Sequence, residues 1–277
     1  MRCHEAFLAA LEEVESIAQH SNDLLASRER HSQNVGNAIS RSGLVLLCGH
    51  FEGFIRELAL EAIDRINQLE LDPRDLPENL IAVAMEQAVQ ASGAKRQRDV
   101  ANLTGALRDG RAASLDRKRL SGPKGNPSVE NIEKIFSAFG LDSVIDQLSI
   151  ADFGVQSTFV DELQSQKVRE KLRAEVVSDA GGVVEHLCEI VDTIWTPRIR
   201  RREVGYVSAV QELLKKRNRI AHGEGREIVT PTELLVHVDQ LRKLGQGLVN
   251  LMAELIADIG EHQGANSELG DVVYLPY

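Results

Sequence analysis

The stretch AISRSGLVLLCGHFEGFIRELALEAI, residues 38–63, decides the fold class. Its large apolar residues advance by threes and fours, the spacing that places side chains on one face of a helix. The residues of this stripe are Leu44, Leu47, Phe51, Phe54, Ile55, Leu58 and Ala62. The same spacing recurs along the chain, whereas the alternation typical of strands hardly appears. The sequence therefore predicts an all-α protein.

Composition limits the class of protein further. The chain has 277 residues, 43% of them hydrophobic, and a formal net charge of −10, which together are typical of a globular protein with a full core. Its longest apolar stretch, LVLLC at 44–48, is far shorter than the roughly 20 residues of a membrane-spanning helix. The N-terminus carries acids at once, unlike a secretory signal, and three widely spaced cysteines fit a reducing compartment. We expect a cytoplasmic protein that does not enter a membrane.

Predicted helices cover most of the chain. The spacing predicts helices at about 4–30, 34–70, 78–90, 96–120, 159–177, 181–195, 203–221 and 231–260, with a further helix beginning at Ser128. Thr230 is the predicted N-cap of the last helix, with Pro231 in its first turn and Glu233 completing a capping box.

These elements predict a single domain over residues 1–264. The helical signal is weaker in the middle of the chain, so we interpret 72–158 as an inserted helical segment. The last residues, 265–277, are expected to form a flexible tail.

The stretch RNRIAHG, residues 217–223, places a charge on an apolar helix face. Arg217 projects into the middle of an arc of apolar residues, where a guanidinium costs several kcal/mol unless it is paired or faces a cleft. The arc consists of Tyr206, Val207, Val210, Leu213, Leu214, Ile220 and Ala221. Lys215, Lys216 and Arg219 point elsewhere, as solvated residues do. The alternative is that the long stem of Arg217 only carries its charge out to water.

His222 follows five residues later, and Gly223 behind it is a natural C′ residue that ends the helix. The helix dipole there favours the protonated imidazole, and a histidine exchanges protons near neutral pH. An arginine that binds an anion and a histidine that moves a proton suit phosphate chemistry.

Glu52 lies just beside the buried stripe of the second helix, and two interpretations stay open. In the first it forms an ordinary i,i+4 pair with Arg56. In the second it faces a partner helix and orients a cationic group there.

The order Arg, Asn, three further residues and His, late in an all-α chain, resembles the Rx4–6H motif of the HEPN superfamily. Two further blocks, residues 38–63 and GNPSVENIEKIFSAFGLD at 125–142, resemble a prokaryotic subfamily, the RiboL-PSP or MAE-type HEPN-like nucleases. The resemblance implies an antiparallel helical bundle and a homodimer whose two motifs form one composite cleft.

The resemblance also implies a function, that of a metal-independent endoribonuclease acting as a toxin or anti-phage effector. Arg217 and His222 would be catalytic, and Asn218, Lys216, Arg219 and Glu52 would bind or orient the substrate. RNA, a second copy of the chain and an antitoxin or regulatory protein are the expected partners. We expect no metal and no cofactor, because the sequence offers no convincing metal-ligand spacing and no nucleotide-binding loop.

Charge distribution is compatible with RNA as a partner, although the whole chain is acidic. The window 198–219 holds eight basic and two acidic residues, a local net charge of +6. Such a belt could hold phosphates, or Arg198, Arg200, Arg201 and Arg202 could instead form salt links with acidic helices. The alternative function is binding of RNA or protein by an HEPN-like dimer that has no catalytic activity.

Overall fold

The computed structural model describes residues 1–72, 76–90, 92–109, 115, 117, 126–155, 203–223 and 227–269. These residues form helices and no strand, so the predicted all-α class is confirmed. The helices are α1 (Arg2–Leu25), α2 (Arg30–Gln68), α3 (Glu78–Gln90), α4 (Gly93–Asp109), α5 (Val129–Ser137), α6 (Val144–Phe153), α7 (Gly205–His222) and α8 (Pro231–Leu269). The helices predicted at 159–177 and 181–195 lie outside the described residues.

The chain divides into two compact units. The larger contains residues 1–144 and 212–277, and the smaller contains residues 145–211. Helix α7 begins in the smaller unit and ends in the larger one, so the RNRIAHG stretch belongs to the larger unit. The single domain and its inserted segment at 72–158 stay predictions.

Packing of α2 against α1 and α8 forms the core of the larger unit. Every residue of the predicted α2 stripe is buried, which confirms the interpretation of 38–63 as a core helix. Gly43 is a point of close approach between these helices. A Cβ atom there would lie 2.8 Å from a methyl of Leu234 on α8 and 2.9 Å from a methyl of Ile17 on α1. Three helices therefore meet where α2 has no side chain.

Glu61 of α2 fixes the start of α1. Its carboxylate accepts the backbone N–H groups of Arg2 and Cys3 at 3.1 and 3.0 Å, and Arg65 donates to it at 2.9 Å. Burial alone would raise the pKa of Glu61, but these hydrogen bonds lower it to about 2. The side chain thus satisfies N–H groups that a helix start leaves without partners.

The boundary between α1 and α2 differs from the prediction. Helix α1 ends at Leu25 rather than near residue 30, and α2 begins at Arg30 rather than near 34. The reason is Ser27, whose hydroxyl accepts the N–H of Glu29 at 3.2 Å. Serine side chains compete with helical hydrogen bonds in this way, and the apolar spacing does not reveal it.

Two helix starts agree with the sequence, the predicted N-cap at Thr230 and the predicted helix start at Ser128. The hydroxyl of Ser128 accepts the N–H of Asn131 at 3.3 Å at the start of α5, and that of Thr230 accepts the N–H of Glu233 at 3.1 Å at the start of α8. Pro231 is the first residue of α8, as expected. The predicted end of this helix near residue 260 is wrong, because α8 continues to Leu269.

The smaller unit holds the beginning of α7 against α6. The hydroxyl of Ser149 accepts the N–H of Tyr206 at 3.1 Å, and the phenol of Tyr206 is hydrogen-bonded to Asp152. Gly205 has a φ of +54°, and a Cβ atom there would lie 2.8 Å from the Ser149 side chain. Glycine is therefore required at the first residue of α7 for both its conformation and its lack of a side chain.

We predict that Gly43→Ala and Gly49→Ala have opposite effects on stability. A methyl group at Gly49 would meet no side chain and no other helix within 4 Å among the described residues, so alanine there should raise the free energy of unfolding by about 0.5–1 kcal/mol through helix propensity. At Gly43 the overpacking cost of about 1–3 kcal/mol should outweigh that gain. Urea unfolding of both variants measures the difference, and equal stabilisation would contradict the close approach of the three helices.

Candidate functional site

The final turn of α7 ends where the sequence predicts. His222 is the last helical residue, and Gly223 has a φ of +66° and donates its N–H to the Ile220 carbonyl at 3.2 Å. A positive φ is the usual conformation of a C′ glycine. The His222 side chain is exposed, so the imidazole is available to a bound molecule.

The apolar arc of α7 is buried only in its first part. Tyr206, Val207, Val210, Leu213 and Leu214 are buried, whereas Ile220 is half-buried and Ala221 exposed. The predicted arc is therefore not buried over its whole length, because its last turn reaches solvent.

Arg217 lies where the buried part of α7 gives way to the exposed part. The side chain is half-buried, and its Nη1 donates to Asn218 Oδ1 at 3.0 Å. Within the described residues no carboxylate lies at ion-pair distance from this guanidinium. One neighbouring amide therefore holds the group and leaves most of its N–H donors for another acceptor.

Cys48 marks the contact between α2 and α7. Its Sγ is 4.0 Å from the carbonyl oxygen of Leu213. Burial raises the pKa of the Cys48 thiol to about 12, the positive charge of Arg217 acts against this shift, and the negative charge of Glu52 adds to it. Charges from both helices therefore act on one buried sulfur, and Glu52 and Arg217 lie in the same region of the structure.

The first interpretation of Glu52, a pair with Arg56, is wrong. Arg56 Nη2 lies 3.5 Å from Glu57 Oε1, and both of those side chains are largely exposed. Glu52 is half-buried on the side of α2 that contacts α7. The second interpretation, in which Glu52 acts on a cationic group of a neighbouring helix, fits this placement.

Lys216 and Arg219 form ion pairs with two glutamates that follow α7 in the chain. Lys216 pairs with Glu233 and lies 3.9 Å from Glu227, and Arg219 Nη1 lies 3.5 Å from the other oxygen of Glu227. The side chain of Lys216 is only 23% exposed, so the expectation that it is solvated is wrong. The predicted capping box is only half formed. The hydroxyl of Thr230 accepts the N–H of Glu233, but the carboxylate of Glu233 pairs with Lys216.

Glu227 was not identified from the sequence. Its side chain is 17% exposed and lies at ion-pair distance from both Lys216 and Arg219. These residues are not neighbours in the sequence. Local spacing carries no signal for such a contact.

A shallow groove lies beside the final turn of α7. It has a volume of about 470 Å³ and is bounded on the α2 side by residues that are half-buried or exposed. Its lining residues are Ala38, Arg41, Ser42, Val45, Leu46 and Ile220. Val45 of α2 is 38% exposed and contributes apolar surface to this groove. The groove joins apolar surface of α2 to the helix end that carries His222.

The chain matches the family model described as RiboL-PSP-HEPN over residues 5–254. It belongs to the RiboL-PSP-HEPN family. No curated protein and no solved structure matches the chain. HEPN domains are often ribonucleases, although some are inactive, so membership supports a nuclease or an RNA-binding module.

Three further expectations concern the surroundings of the site in this HEPN chain. Arg198, Arg200, Arg201 and Arg202, the first half of the predicted basic belt, lie outside the described residues. Across the part of the chain that the structure describes, no three His, Cys, Asp or Glu side chains are grouped as a metal site requires. None of the described helices has the length and apolar character to cross a membrane.

His237 is a buried polar side chain of α8 near the ion pairs of α7. It is 4% exposed, and burial lowers its pKa below the ordinary value. The negative charges of Glu233 and Glu212 oppose this shift, and the positive charge of Lys216 adds to it. The neutral imidazole is therefore the form that the HEPN fold accommodates.

We predict that His237 makes the fold sensitive to mild acid. Because its pKa is lower in the folded than in the unfolded state, its contribution to stability is present above the unfolded pKa of about 6.5 and is lost as pH falls through the folded value. The stability difference between wild type and His237→Gln should shrink between pH 7.5 and pH 5. His20→Gln, an exposed histidine of α1, is the control. A difference independent of pH, measured by urea unfolding, would rule out the titration.

Proposed function

We propose that the chain is a metal-independent endoribonuclease. One observation supports this most directly: a half-buried arginine without a carboxylate partner among the described residues and an exposed histidine lie on the same short helical segment. These two residue types suit phosphoryl transfer without a metal, because an arginine can bind the negative charge on the non-bridging oxygens and a histidine can move the proton. Family membership supports the same class of reaction.

In the proposed reaction the ribose 2′-hydroxyl attacks the adjacent phosphorus. The new bond to the 2′-oxygen forms as the bond to the 5′-oxygen breaks, giving a 2′,3′-cyclic phosphate and a 5′-hydroxyl. His222 acts as base or acid in this exchange of protons. Arg217 stabilises the negative charge that accumulates on the non-bridging oxygens.

Two neighbours would orient the arginine. Asn218 accepts a hydrogen bond from Nη1 of Arg217 and so restricts the rotation of the guanidinium plane. The charge of Glu52 acts from α2 in the same region and favours a cation there. Both residues would keep the fork of Arg217 turned toward a phosphate rather than along the helix.

The proposed active site is composite, shared by two copies of the chain. Five residues of helix separate Arg217 from His222, which corresponds to about 7.5 Å of rise and about 140° of rotation. The two side chains of one copy therefore diverge. A twofold interface brings the same surface of two copies together, so that diverging groups meet those of the partner. The groove between α2 and Ile220 adjoins this helix end and offers apolar surface for such an interface.

The biological role that we propose is that of a toxin or anti-phage defence effector. Unregulated cleavage of RNA would harm the host, so an antitoxin or another regulatory protein is the expected partner. The competing function is an inactive HEPN dimer that binds RNA or protein through the same surface.

We predict that Arg217→Ala and His222→Ala each abolish RNA cleavage and leave the fold intact. Arg217→Lys should also fail, because lysine keeps the charge but loses the planar fork that grips two oxygens of one phosphate. Since His222 is exposed, His222→Ala should cost less than about 1 kcal/mol of stability. The measurement is cleavage of RNA with analysis of the product ends, with and without EDTA.

Each outcome of that experiment decides between the functions. Cleavage that resists EDTA and leaves 5′-hydroxyl ends supports the proposed reaction. Products with 5′-phosphates formed only with added magnesium, or full activity in both alanine variants, would remove the mechanism. RNA binding without cleavage would favour the inactive module.

We predict that Val45→Lys dissociates the proposed dimer and lowers the rate of RNA cleavage as the dimeric fraction falls. A charge in the groove beside Ile220 would be buried without a partner on association, which costs several kcal/mol. Sedimentation at micromolar concentration measures the state of association. Met85→Lys is the matched control, because Met85 is 47% exposed and lies on α3. A wild-type monomer that cleaves RNA would contradict the composite site.

A further inference from the structure

Two of the four consecutive residues 216–219, Lys216 and Arg219, pair with carboxylates. Lys216 and Arg219 are three residues apart on α7, and Glu227 reaches both, with one oxygen 3.9 Å from Lys216 Nζ and the other 3.5 Å from Arg219 Nη1. Glu233, in the first turn of α8, completes the cluster by pairing with Lys216. We call these four side chains the clamp.

We propose that Glu227 is a positioning residue that fixes the final turn of α7 and thereby the place of His222. The proposal rests on the proposed ribonuclease function for its consequence in catalysis, although the clamp itself is a structural claim. It gives Lys216 and Arg219 an orienting role in place of direct contact with RNA.

Burial favours the clamp over phosphate binding by Lys216, whereas the side chain of Arg219 is 56% exposed. Glu227 is 17% exposed, Lys216 is 23% exposed and Glu233 is 29% exposed, so their charges are partly withdrawn from water. A phosphate that bound Lys216 would have to displace a carboxylate and then lie beside it. Separating such a pair leaves an uncompensated charge, which is costly in a partly buried place.

The position of the clamp explains how it would act on His222. Arg219 lies three residues before His222, so the two side chains are neighbours on the helix surface. The last turn of a helix lacks intrahelical partners for its carbonyl groups and frays readily. Here Arg219 ties that turn to Glu227, and Lys216 ties the preceding turn to α8 through Glu233. His222 is therefore carried by a turn that is held from two sides.

The clamp also distinguishes Arg217 from its basic neighbours. Lys216 and Arg219 are matched by two carboxylates, whereas Arg217 has an amide for its partner among the described residues. A phosphate near α7 would thus meet the guanidinium of Arg217 without strong competition from its two basic neighbours. Removal of the Glu227 carboxylate would leave Arg219 able to compete with Arg217 for the phosphate.

The experiment uses the full-length chain and Glu227→Gln, which keeps the size of the side chain and removes its charge. We expect kcat for RNA cleavage to fall on the order of tenfold to a hundredfold, because small displacements of a catalytic group cost that much. KM should change little, since the clamp does not touch RNA. Asp239→Asn is the control, because Asp239 forms an exposed pair with Lys243 at 2.8 Å on α8. A fall in KM with kcat unchanged would show that Lys216 and Arg219 bind phosphate and would overturn the proposal.

A charge exchange tests whether the pair itself matters. Glu227→Arg and Arg219→Glu should each lower kcat, and the double variant should recover part of the loss, as a double-mutant cycle requires of two groups that interact. Losses that simply add would overturn the pairing.

Hydrogen exchange keeps the clamp testable apart from catalysis. In Glu227→Gln the amides of residues 220–223 should exchange faster than in wild type, with the core amides of α2 unchanged. If wild type does not cleave RNA, the proposed function fails, yet faster exchange in this segment still supports the clamp. Unchanged exchange overturns the clamp whether or not the chain is a ribonuclease.

Discussion

Burial of α2 is the constraint on which the rest of the larger unit depends. Helix α2 has 39 residues, and its stripe of apolar side chains is buried where the helix packs against α1 and α8. Gly43 allows the close approach of the three helices, and Cys48, further along the same helix, contacts the backbone of α7 at Leu213. Arg217 is one turn after Leu213, so its guanidinium follows this contact on α7. The proposed site at the end of α7 therefore lies next to a buried contact between Cys48 and Leu213.

Partial burial changes what the charges of this region do. Exposed ion pairs contribute little to stability, and the pair of Arg56 with Glu57 is of that kind. The pairs of Lys216 and Arg219 share Glu227, whose side chain is only 17% exposed. Loss of its cationic partners would leave the Glu227 carboxylate charged in a place that water solvates poorly. Their contribution is mainly to geometry, since they define which carboxylate each cation meets. They hold the final turn of α7 in one place.

Sequence patterns predicted the features that depend on periodicity and on single residue types. The stripe of α2, the helix start at Ser128, the cap at Thr230 and the helix end at Gly223 follow from spacing and from local hydrogen-bonding chemistry. The same patterns missed features that depend on where distant segments return, and on local competition for backbone groups. Ser27 ends α1 early, and Glu233 serves Lys216 instead of its own helix start. Contacts of this kind leave no periodic trace.

The candidate site shows the same division. Arg217 could be identified because a charge interrupts an apolar arc, and His222 because a glycine follows it. Glu227 could not, since nothing in its neighbourhood distinguishes it from other surface acids of an acidic chain. The run of basic residues before His222 is not one surface, because a rotation of about 100° per residue sends each side chain to a different neighbour. Lys216 meets α8, Arg219 meets Glu227, and Arg217 faces α2 with Asn218 as its hydrogen-bond partner. Among these three cations of the described residues, Arg217 alone has no carboxylate partner, and its planar donors suit a phosphate. Pairing of its neighbours therefore supports the proposal that Arg217 binds the reacting phosphate.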